Sequence, residues 1–316
     1  MSDHYHPNSE QVAFANSIGK SLISILPLSR LQKEHEEGAR AWSALSELGV
    51  FAISTPEHEG GSGLGATEEA LIVFELGRRV VAPSVLSTIA ATHLQAAAKR
   101  VQSAASPRVA AGYRRGGQVV YVEDSSADLL LVRAASSVTL FELPGASRLV
   151  DSQLWSSRLL EVDQPGRALA EASAPEVLRL RLIDAAALAG IARAALEMAV
   201  EYARQREQFG RPIGSFQAVK HQCADMALAA RCAADQVAFA AVAVDDERDD
   251  AVLQVESAFW VAGSAALANG GKNIQIHGGI GFSDEAQPHH LLKRARVLIE
   301  IAGGLPAALT RIEHCP

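Results

Sequence analysis

Residues 206–227 read REQFGRPIGSFQAVKHQCADMA, and this stretch constrains how the rest of the chain can fold. Gly210 and Pro212 interrupt a long helical pattern, because glycine and proline are the poorest helix formers. From Phe216 onward, apolar residues recur at three- and four-residue spacing, which predicts a second long helix. The stretch therefore predicts two long helices joined by a short turn, an arrangement typical of a helical bundle.

The helical pattern extends in both directions from this turn. Upstream it runs from Pro175 to Phe209, with the proline in a position favoured at helix starts. Downstream, two further helical runs cover residues 216–244 and 250–278, and a last run, EAQPHHLLKRARVLIEIA, covers residues 285–302. Helices of this length with short joints predict a four-helix bundle over residues 171–316.

The first half of the chain divides into two parts. Residues 1–104 carry helical patterns interrupted by a glycine-rich loop at 54–67, and we predict an N-terminal helical domain. Residues 105–170 carry short runs such as QVVYVED, DLLLVRAA, SVTLFEL and SRLLEVD, separated by turn residues, and we predict a small β domain built as a sandwich or barrel. The fold class is therefore mainly α, with a small β insert.

Composition narrows the class of protein further. The net charge of −7 argues against a nucleic-acid partner. Three cysteines without metal-ligand spacing argue against a disulfide framework or a metal site. The polar N-terminus and the lack of a long uncharged apolar run favour a cytoplasmic protein with no signal peptide and no membrane span. The loop at 54–67 lacks the strand–loop–helix context of a phosphate-binding loop.

Three separated segments resemble the acyl-CoA dehydrogenase flavoproteins. They are residues 206–227, the segment IQIHGGIGFSDE at 274–285, and LSELGVFAISTPEHEGGSGLG at 45–65. The resemblance covers most of the chain outside 100–170, and it implies the family fold and FAD-dependent α,β-dehydrogenation of an acyl-CoA thioester. In that chemistry a glutamate removes the α-proton while the flavin N5 takes the β-hydride, and a separate electron-transfer acceptor reoxidises the flavin.

The resemblance also implies residues that reach a flavin. In this family each flavin lies at a subunit interface, and a neighbouring chain contributes groups to its ADP half. The matching positions are Arg206, Gln208, Phe209, Gln275, Gly278 and Gly279. An arginine fork suits a pyrophosphate oxygen, and glycines let backbone approach a ligand closely. His277 replaces an apolar residue of the motif, and we expect a packed or capping histidine.

Two departures from the family pattern raise the question of the catalytic base. The family's TEPxxGSD-like and W(I/V)(T/S)NG-like segments are missing between residues 100 and 125, which predicts a reduced β domain. The usual catalytic glutamate aligns with Ala302, which cannot take a proton, and the alternative base position aligns with Leu180. Its neighbour Arg181 matches an arginine that the family carries near the substrate or in a structural role.

Two carboxylates remain as alternative bases. Glu300 lies two residues before Ala302, so on a helix it points nearly the opposite way. Asp184 lies one turn after Leu180 on the same helix face, and it could instead pair with Arg181.

We therefore predict one subunit of a heteromer, such as α2β2, in which this chain completes the FAD site of a second acyl-CoA dehydrogenase subunit that supplies the base. Bulky, steroid-type acyl-CoA substrates are implied by the resemblance. Three alternatives stay open: a self-sufficient homo-oligomeric dehydrogenase with an unusual base, a non-catalytic structural or regulatory paralogue, and a flavin hydroxylase or oxidase with the same fold.

Overall fold

The computed structural model describes residues 5–32, 38–94, 107–134, 137–143, 145, 147–150 and 158–315. Within the described residues, the N-terminal part contains four α-helices, in agreement with the helical patterns of the sequence. They are α1 Ser9–Ile25, α2 Ala39–Glu47, α3 Ala66–Arg78 and α4 Pro83–Ala91. Asn8 caps α1 by accepting hydrogen bonds from the backbone of Glu10 and Gln11, both 2.9 Å long.

The middle part is a single sheet of mixed strand direction. Its strands are β1 Arg108–Arg115, β2 Gln118–Val122, β3 Ala127–Arg133, β4 Val138–Glu142, β5 Arg148–Leu149, β6 Leu159–Val162 and β7 Ala168–Glu171. The order across the sheet is β5-β6-β2-β1-β3-β4-β7, with β1 and β3 parallel and the other pairs antiparallel. Strands β2, β3, β4 and β6 confirm the prediction, whereas β1, β5 and β7 were not predicted.

The C-terminal part contains the four predicted long helices and one short additional helix. They are α5 Ala174–Gln205, α6 Gln217–Asp245, α7 Ala251–His277, α8 Pro288–Ile301 and α9 Leu305–Glu313. Helix α5 ends four residues before its predicted end at Phe209, because a two-strand hairpin starts there: β8 Glu207–Gln208 and β9 Arg211–Pro212. Helix α9 was not predicted, since Gly303, Gly304 and Pro306 break the helical pattern.

The N-terminal helices pack closely against the bundle where α3 crosses α5. Gly77 and Gly190 face the opposite helix so closely that an added Cβ on Gly190 would lie 2.1 Å from the Phe74 carbonyl oxygen, and one on Gly77 would lie 2.2 Å from the Ala187 carbonyl oxygen. Asp245 at the end of α6 also caps α3, accepting from the Thr67 amide at 2.8 Å and its hydroxyl at 2.6 Å. One hydrophobic core consequently runs through the N-terminal helices, one sheet face and the bundle.

The predicted domain limits stay predictions. The limit between residues 104 and 105 lies outside the described residues, as do residues 100–106 of the segment where the two family motifs were sought.

Helix α6 and the stretch Ala251–Phe282 are long and apolar enough to cross a membrane, but 39% and 50% of their most apolar windows are buried within the fold. Core helices of globular proteins share these properties, so this is weak evidence for a membrane segment.

Candidate functional site

The position aligned with the family's base lies at the end of α8 and is buried. Ala302 is only 3% exposed, and its amide donates to the Leu298 carbonyl at 3.0 Å. Gly303 and Gly304 follow with φ values of +93° and +84°, a backbone region that favours glycine. A tight turn therefore follows Ala302, and the side chain at this position carries no ionisable group.

Arg181 occupies the space next to this position. Its Nη1 donates to the Ala302 carbonyl, its Nε lies 3.5 Å from a Glu256 carboxylate oxygen, and its guanidinium carbon lies 4.9 Å from the centre of the Phe259 ring. Burial lowers the pKa of Arg181 to about 10, with Glu256 opposing the shift. Arg181 thus binds groups of its own chain, and its assignment as a substrate residue remains a prediction.

A second arginine, Arg311 of the C-terminal helix, binds the same Glu256 carboxylate. Arg311 on α9 donates to both oxygens of Glu256, at 2.8 and 3.0 Å. Glu256 is 6% exposed, so Arg181 and Arg311 share one buried carboxylate. A buried carboxylate is stabilised only when it is paired and hydrogen-bonded, and this one is both. The contacts fix α9 and the end of α8 against α5 and α7.

Asp184, one of the two alternative bases, is already paired. It is 2% exposed and accepts a hydrogen bond from Arg133 of β3. Burial raises its pKa, while Arg133 and Arg181 lower it. A raised pKa would suit a base, but this carboxylate faces a guanidinium of the sheet rather than an open cavity. Leu180, at the family's other base position, is a core residue with 1% exposure.

Glu300, the other alternative base, lies on the outside of α8. Its side chain is exposed, whereas Ala302 two residues later is buried, in agreement with the expected rotation of about 200° between them. Burial and the charge of Glu300 raise the pKa of Tyr113 on β1. Glu300 and Ala302 therefore do not share one face of the helix.

The sheet packs directly on α8 in front of the base position. A separate apolar cluster joins the sheet residues Ala111, Val120, Val122 and Leu159 to Val297 and Ile301 of α8. Side chains in such a cluster are in van der Waals contact. This cluster therefore fills part of the boundary between sheet and bundle with side chains.

The residues predicted to reach a partner's flavin lie at one end of the bundle. We call Arg206, Gln208, Phe209, Gln275, Gly278 and Gly279 the donor surface. The first three lie on the β8–β9 hairpin and the other three at the end of α7. All six are exposed. The Tyr202 ring of α5 stacks on the His277 ring of α7, with ring centres 4.1 Å apart, and this contact brings the two segments together.

Open space surrounds the donor surface. Phe209 has a φ of +53° and is 93% exposed, an unusual conformation and exposure for an aromatic residue. An added Cβ on Gly278 or Gly279 would meet no atom within 4 Å. Among the contacts of the described residues, the Arg206 guanidinium has no ion-pair or hydrogen-bond partner. These groups are free to contact another molecule.

His277 is a packed histidine, as predicted. Its Nδ1 lies 2.8 Å from the Asn273 carbonyl oxygen, and its pKa is lowered by burial.

Two residues next to the donor surface, Arg211 and Phe216, were not predicted from the sequence to belong to the site. The Arg211 guanidinium carbon lies 4.3 Å from the centre of the Phe216 ring, and that ring contacts Phe209 edge to face at 6.1 Å. The recurrence of aromatic residues at 209 and 216 was the only sequence signal for this arrangement.

Sequence profiles of known families match both helical parts of the chain. The profile of the acyl-CoA dehydrogenase N-terminal domain matches residues 10–113, and that of the acyl-CoA dehydrogenase C-terminal domain matches residues 176–312. The order of helices, sheet and bundle is also that of solved acyl-CoA dehydrogenase structures. The chain belongs to the acyl-CoA dehydrogenase family, as the sequence analysis predicted.

Two curated relatives come from Mycobacterium tuberculosis. Acyl-CoA dehydrogenase IpdE2 is 30% identical over 287 residues, which cover 86% of this chain and 85% of IpdE2. Acyl-CoA dehydrogenase FadE34 is 36% identical over 308 residues, which cover 88% of this chain but only 43% of FadE34. The chain therefore spans less than half the length of one of these relatives.

Two similar solved structures carry paired names, and one of them is described as a complex. The ChsE4–ChsE5 complex from Mycobacterium tuberculosis matches with a TM-score of 0.76 and 21% identity, covering 98% of both chains. The Tcur3481–Tcur3483 steroid acyl-CoA dehydrogenase, in its G363A variant, matches with a TM-score of 0.76 and 23% identity, covering 96% of both chains. At these identities the likeness shows the fold.

Proposed function

We propose that this chain is a subunit of an FAD-dependent acyl-CoA dehydrogenase assembly and that it completes the flavin site of a partner subunit. The observation that carries the proposal is the contrast between two places in the fold. The six residues of the donor surface are exposed, and among the described residues the Arg206 guanidinium has no ion-pair or hydrogen-bond partner. Ala302, by contrast, is buried, and the buried carboxylates Glu256 and Asp184 are held in ion pairs with arginines. The chain would contribute binding groups, and the partner would contribute the base.

The residues present fit one half of FAD. The exposed Arg206 guanidinium suits the diphosphate, and Gly278 and Gly279 leave room for close approach of a ligand to the backbone. They do not fit the isoalloxazine half, because sheet side chains pack directly on α8. FAD bound at the interface would supply hydride acceptance, and Arg206 with the backbone at Gly278 and Gly279 would hold its diphosphate.

The comparisons support a heteromer and a bulky substrate. One similar structure is a complex of two chains, and another is described as a steroid acyl-CoA dehydrogenase. The match occupies 43% of FadE34, which leaves room in that protein for a second unit of similar size. We propose a steroid-type acyl-CoA substrate, a separate electron-transfer acceptor and a cytoplasmic location on these grounds together with the sequence analysis.

Flavin content tests the proposal. Purified alone, the chain should show almost no visible flavin absorbance. Purified from its native host through a tag, it should bring with it one further acyl-CoA dehydrogenase-family chain and FAD, and a steroid-type acyl-CoA should bleach that flavin under anaerobic conditions. Stoichiometric FAD in the isolated chain would instead support a self-sufficient homo-oligomer and contradict the proposal.

The Arg206→Ala variant separates a subunit that contributes to catalysis from a structural paralogue. In the tagged assembly this change should lower FAD affinity without dissociating the two chains. If FAD affinity and bleaching stay at wild-type values, the chain acts only as a scaffold.

Oxygen consumption by the reduced flavin of the assembly, measured without an electron acceptor, should be slow, and a fast rate would point to a hydroxylase or oxidase.

A further inference from the structure

We infer that Arg211 is a second diphosphate-binding residue on the β8–β9 hairpin and acts beside Arg206 on the partner's FAD. This inference rests on the proposed function. It is carried by the position of Arg211 in the hairpin, by the aromatic ring that holds its guanidinium, and by the lack of any carboxylate bound to it among the described residues.

Hairpin register places Arg211 beside a predicted flavin contact. Gln208 of β8 and Arg211 of β9 are paired directly across the hairpin. Side chains opposite each other in an antiparallel pair lie on the same face, about 5 Å apart at their Cβ atoms. Arg211 therefore shares its face of the hairpin with Gln208, and any ligand group that reaches Gln208 also comes within reach of the guanidinium.

The same register also determines the direction of the neighbouring Glu207 carboxylate. Glu207 is paired with Pro212, and successive side chains of a strand point to opposite faces. The Glu207 carboxylate is thus directed away from the face that carries Gln208 and Arg211. No ion pair joins Glu207 to Arg211 among the described residues. The positive charge of Arg211 remains available to an anion.

An aromatic contact holds this guanidinium in place. It lies 4.3 Å from the centre of the half-buried Phe216 ring, which in turn touches Phe209. Stacking on a ring leaves the edge of the guanidinium plane, with its N–H donors, free to bind oxygen atoms. A stacked arginine also loses less side-chain freedom on binding than a solvated one does. The arrangement is therefore prepared for a planar, edge-on contact with phosphate oxygens.

Arg206 and Arg211 bracket the turn from its two ends. Arg206 ends α5 immediately before β8, and its carbonyl accepts from the Ile213 amide at 2.8 Å, which closes the base of the hairpin. Among the described residues, neither guanidinium has an ion-pair or hydrogen-bond partner in its own chain. A diphosphate has two negatively charged phosphoryl groups, so two guanidiniums on one small hairpin match its charge.

Titration of the assembly with FAD tests the inference. The tagged assembly is freed of flavin by dialysis and titrated with FAD, and binding is followed by quenching of flavin fluorescence. Arg211→Gln should raise the Kd for FAD about fivefold at low salt, a typical effect of losing one partly exposed charge contact. The difference from wild type should shrink at high salt. Arg211→Lys should recover part of the affinity, because it keeps the charge but loses the planar stack.

Competition separates a contact with phosphate from a structural role. ADP and adenosine are compared as competitors of FAD. Arg211→Gln should weaken competition by ADP and leave competition by adenosine unchanged, whereas an equal loss for both would show a merely structural role and overturn the inference. Arg231→Gln is the matched control, because Arg231 is an exposed arginine of α6 already paired with Asp235 at 2.6 Å.

The Arg206→Gln variant separates a failure of the inference about Arg211 from a failure of the proposed function. If Arg206→Gln weakens FAD binding and Arg211→Gln behaves like the Arg231→Gln control, the inference about Arg211 is wrong and the proposed function stands. If neither hairpin variant changes FAD affinity, both are wrong. Loss of affinity in both hairpin variants, with the ADP-specific pattern for Arg211→Gln, supports both.

Discussion

Replacing Asp184 by asparagine should destabilise the protein without removing a catalytic group. The Asp184 and Arg133 side chains are only 3% and 9% exposed, and the pair joins α5 to β3. Breaking a buried ion pair by removing one partner costs about 3–5 kcal/mol. Asparagine keeps the size of the side chain and one acceptor oxygen, so we expect a loss of about 3 kcal/mol in the free energy of unfolding.

Urea unfolding of the isolated chain measures this loss. The matched control is Asp235→Asn on the outside of α6, whose ion pair with Arg231 is 45% and 76% exposed on the two sides. An exposed pair contributes only about 0–1 kcal/mol, so the control should unfold close to wild type. The double variant Arg133→Met/Asp184→Leu should regain much of the lost stability, because well-packed apolar residues can replace a buried pair.

Flavin bleaching in the tagged assembly decides between the structural role and the catalytic one. Loss of a general base lowers a rate by about 100-fold or more. If Asp184→Asn unfolds like wild type but bleaches at least 100 times more slowly per bound flavin, Asp184 is the base and our interpretation of the ion pair is refuted. We expect the opposite pattern, with reduced stability and a nearly unchanged bleaching rate.

Two further predictions concern the fold. Gly190→Ala should cost about 3 kcal/mol in urea unfolding, because the new methyl would meet a carbonyl of α3 at 2.1 Å, whereas Gly271→Ala, whose Cβ meets nothing within 4 Å, should be neutral or stabilising. The pKa of Glu69 is about 2 instead of 4.5, because the effects of His93 and Arg179 outweigh the opposing effect of burial. The stability this gives, about 3 kcal/mol, is present above pH 4.5 and lost as the pH falls towards 2, and a pH series of thermal melts should show no such loss in Glu69→Gln.

Regular elements with a strong pattern could be predicted from the sequence. The long bundle helices show apolar periodicity over many turns, and their limits were close to those observed. Strand β1, RVAAGYRR, was missed because its alanines and arginines do not alternate as a half-buried strand does. Helix α9 was missed because Gly303 and Gly304 precede it and Pro306 stands in its first turn, where a proline is tolerated.

The two parts of the candidate site differed in how well they could be predicted. The residues of the donor surface lie on two short motifs, and their role at a flavin stays a prediction made from the family resemblance. The sequence did not indicate that Tyr202 and His277 bring the two motifs together. The hydrogen bonds of the buried arginines join residues far apart in sequence: Arg133 and Asp184 are 51 positions apart, and Arg181 and the Ala302 carbonyl are 121 positions apart. No local pattern records such pairings, because they depend on how helices and sheet pack.

The glycine pair after Ala302 has a consequence for how related chains are compared. Gly303 and Gly304 turn the chain so that α9 returns to α7 and Arg311 reaches Glu256. That turn is needed whether or not the preceding residue can accept a proton. A glycine found at this place in an alignment therefore indicates the path of the backbone. A search that used it to count active members of the family would include chains whose preceding residue cannot accept a proton.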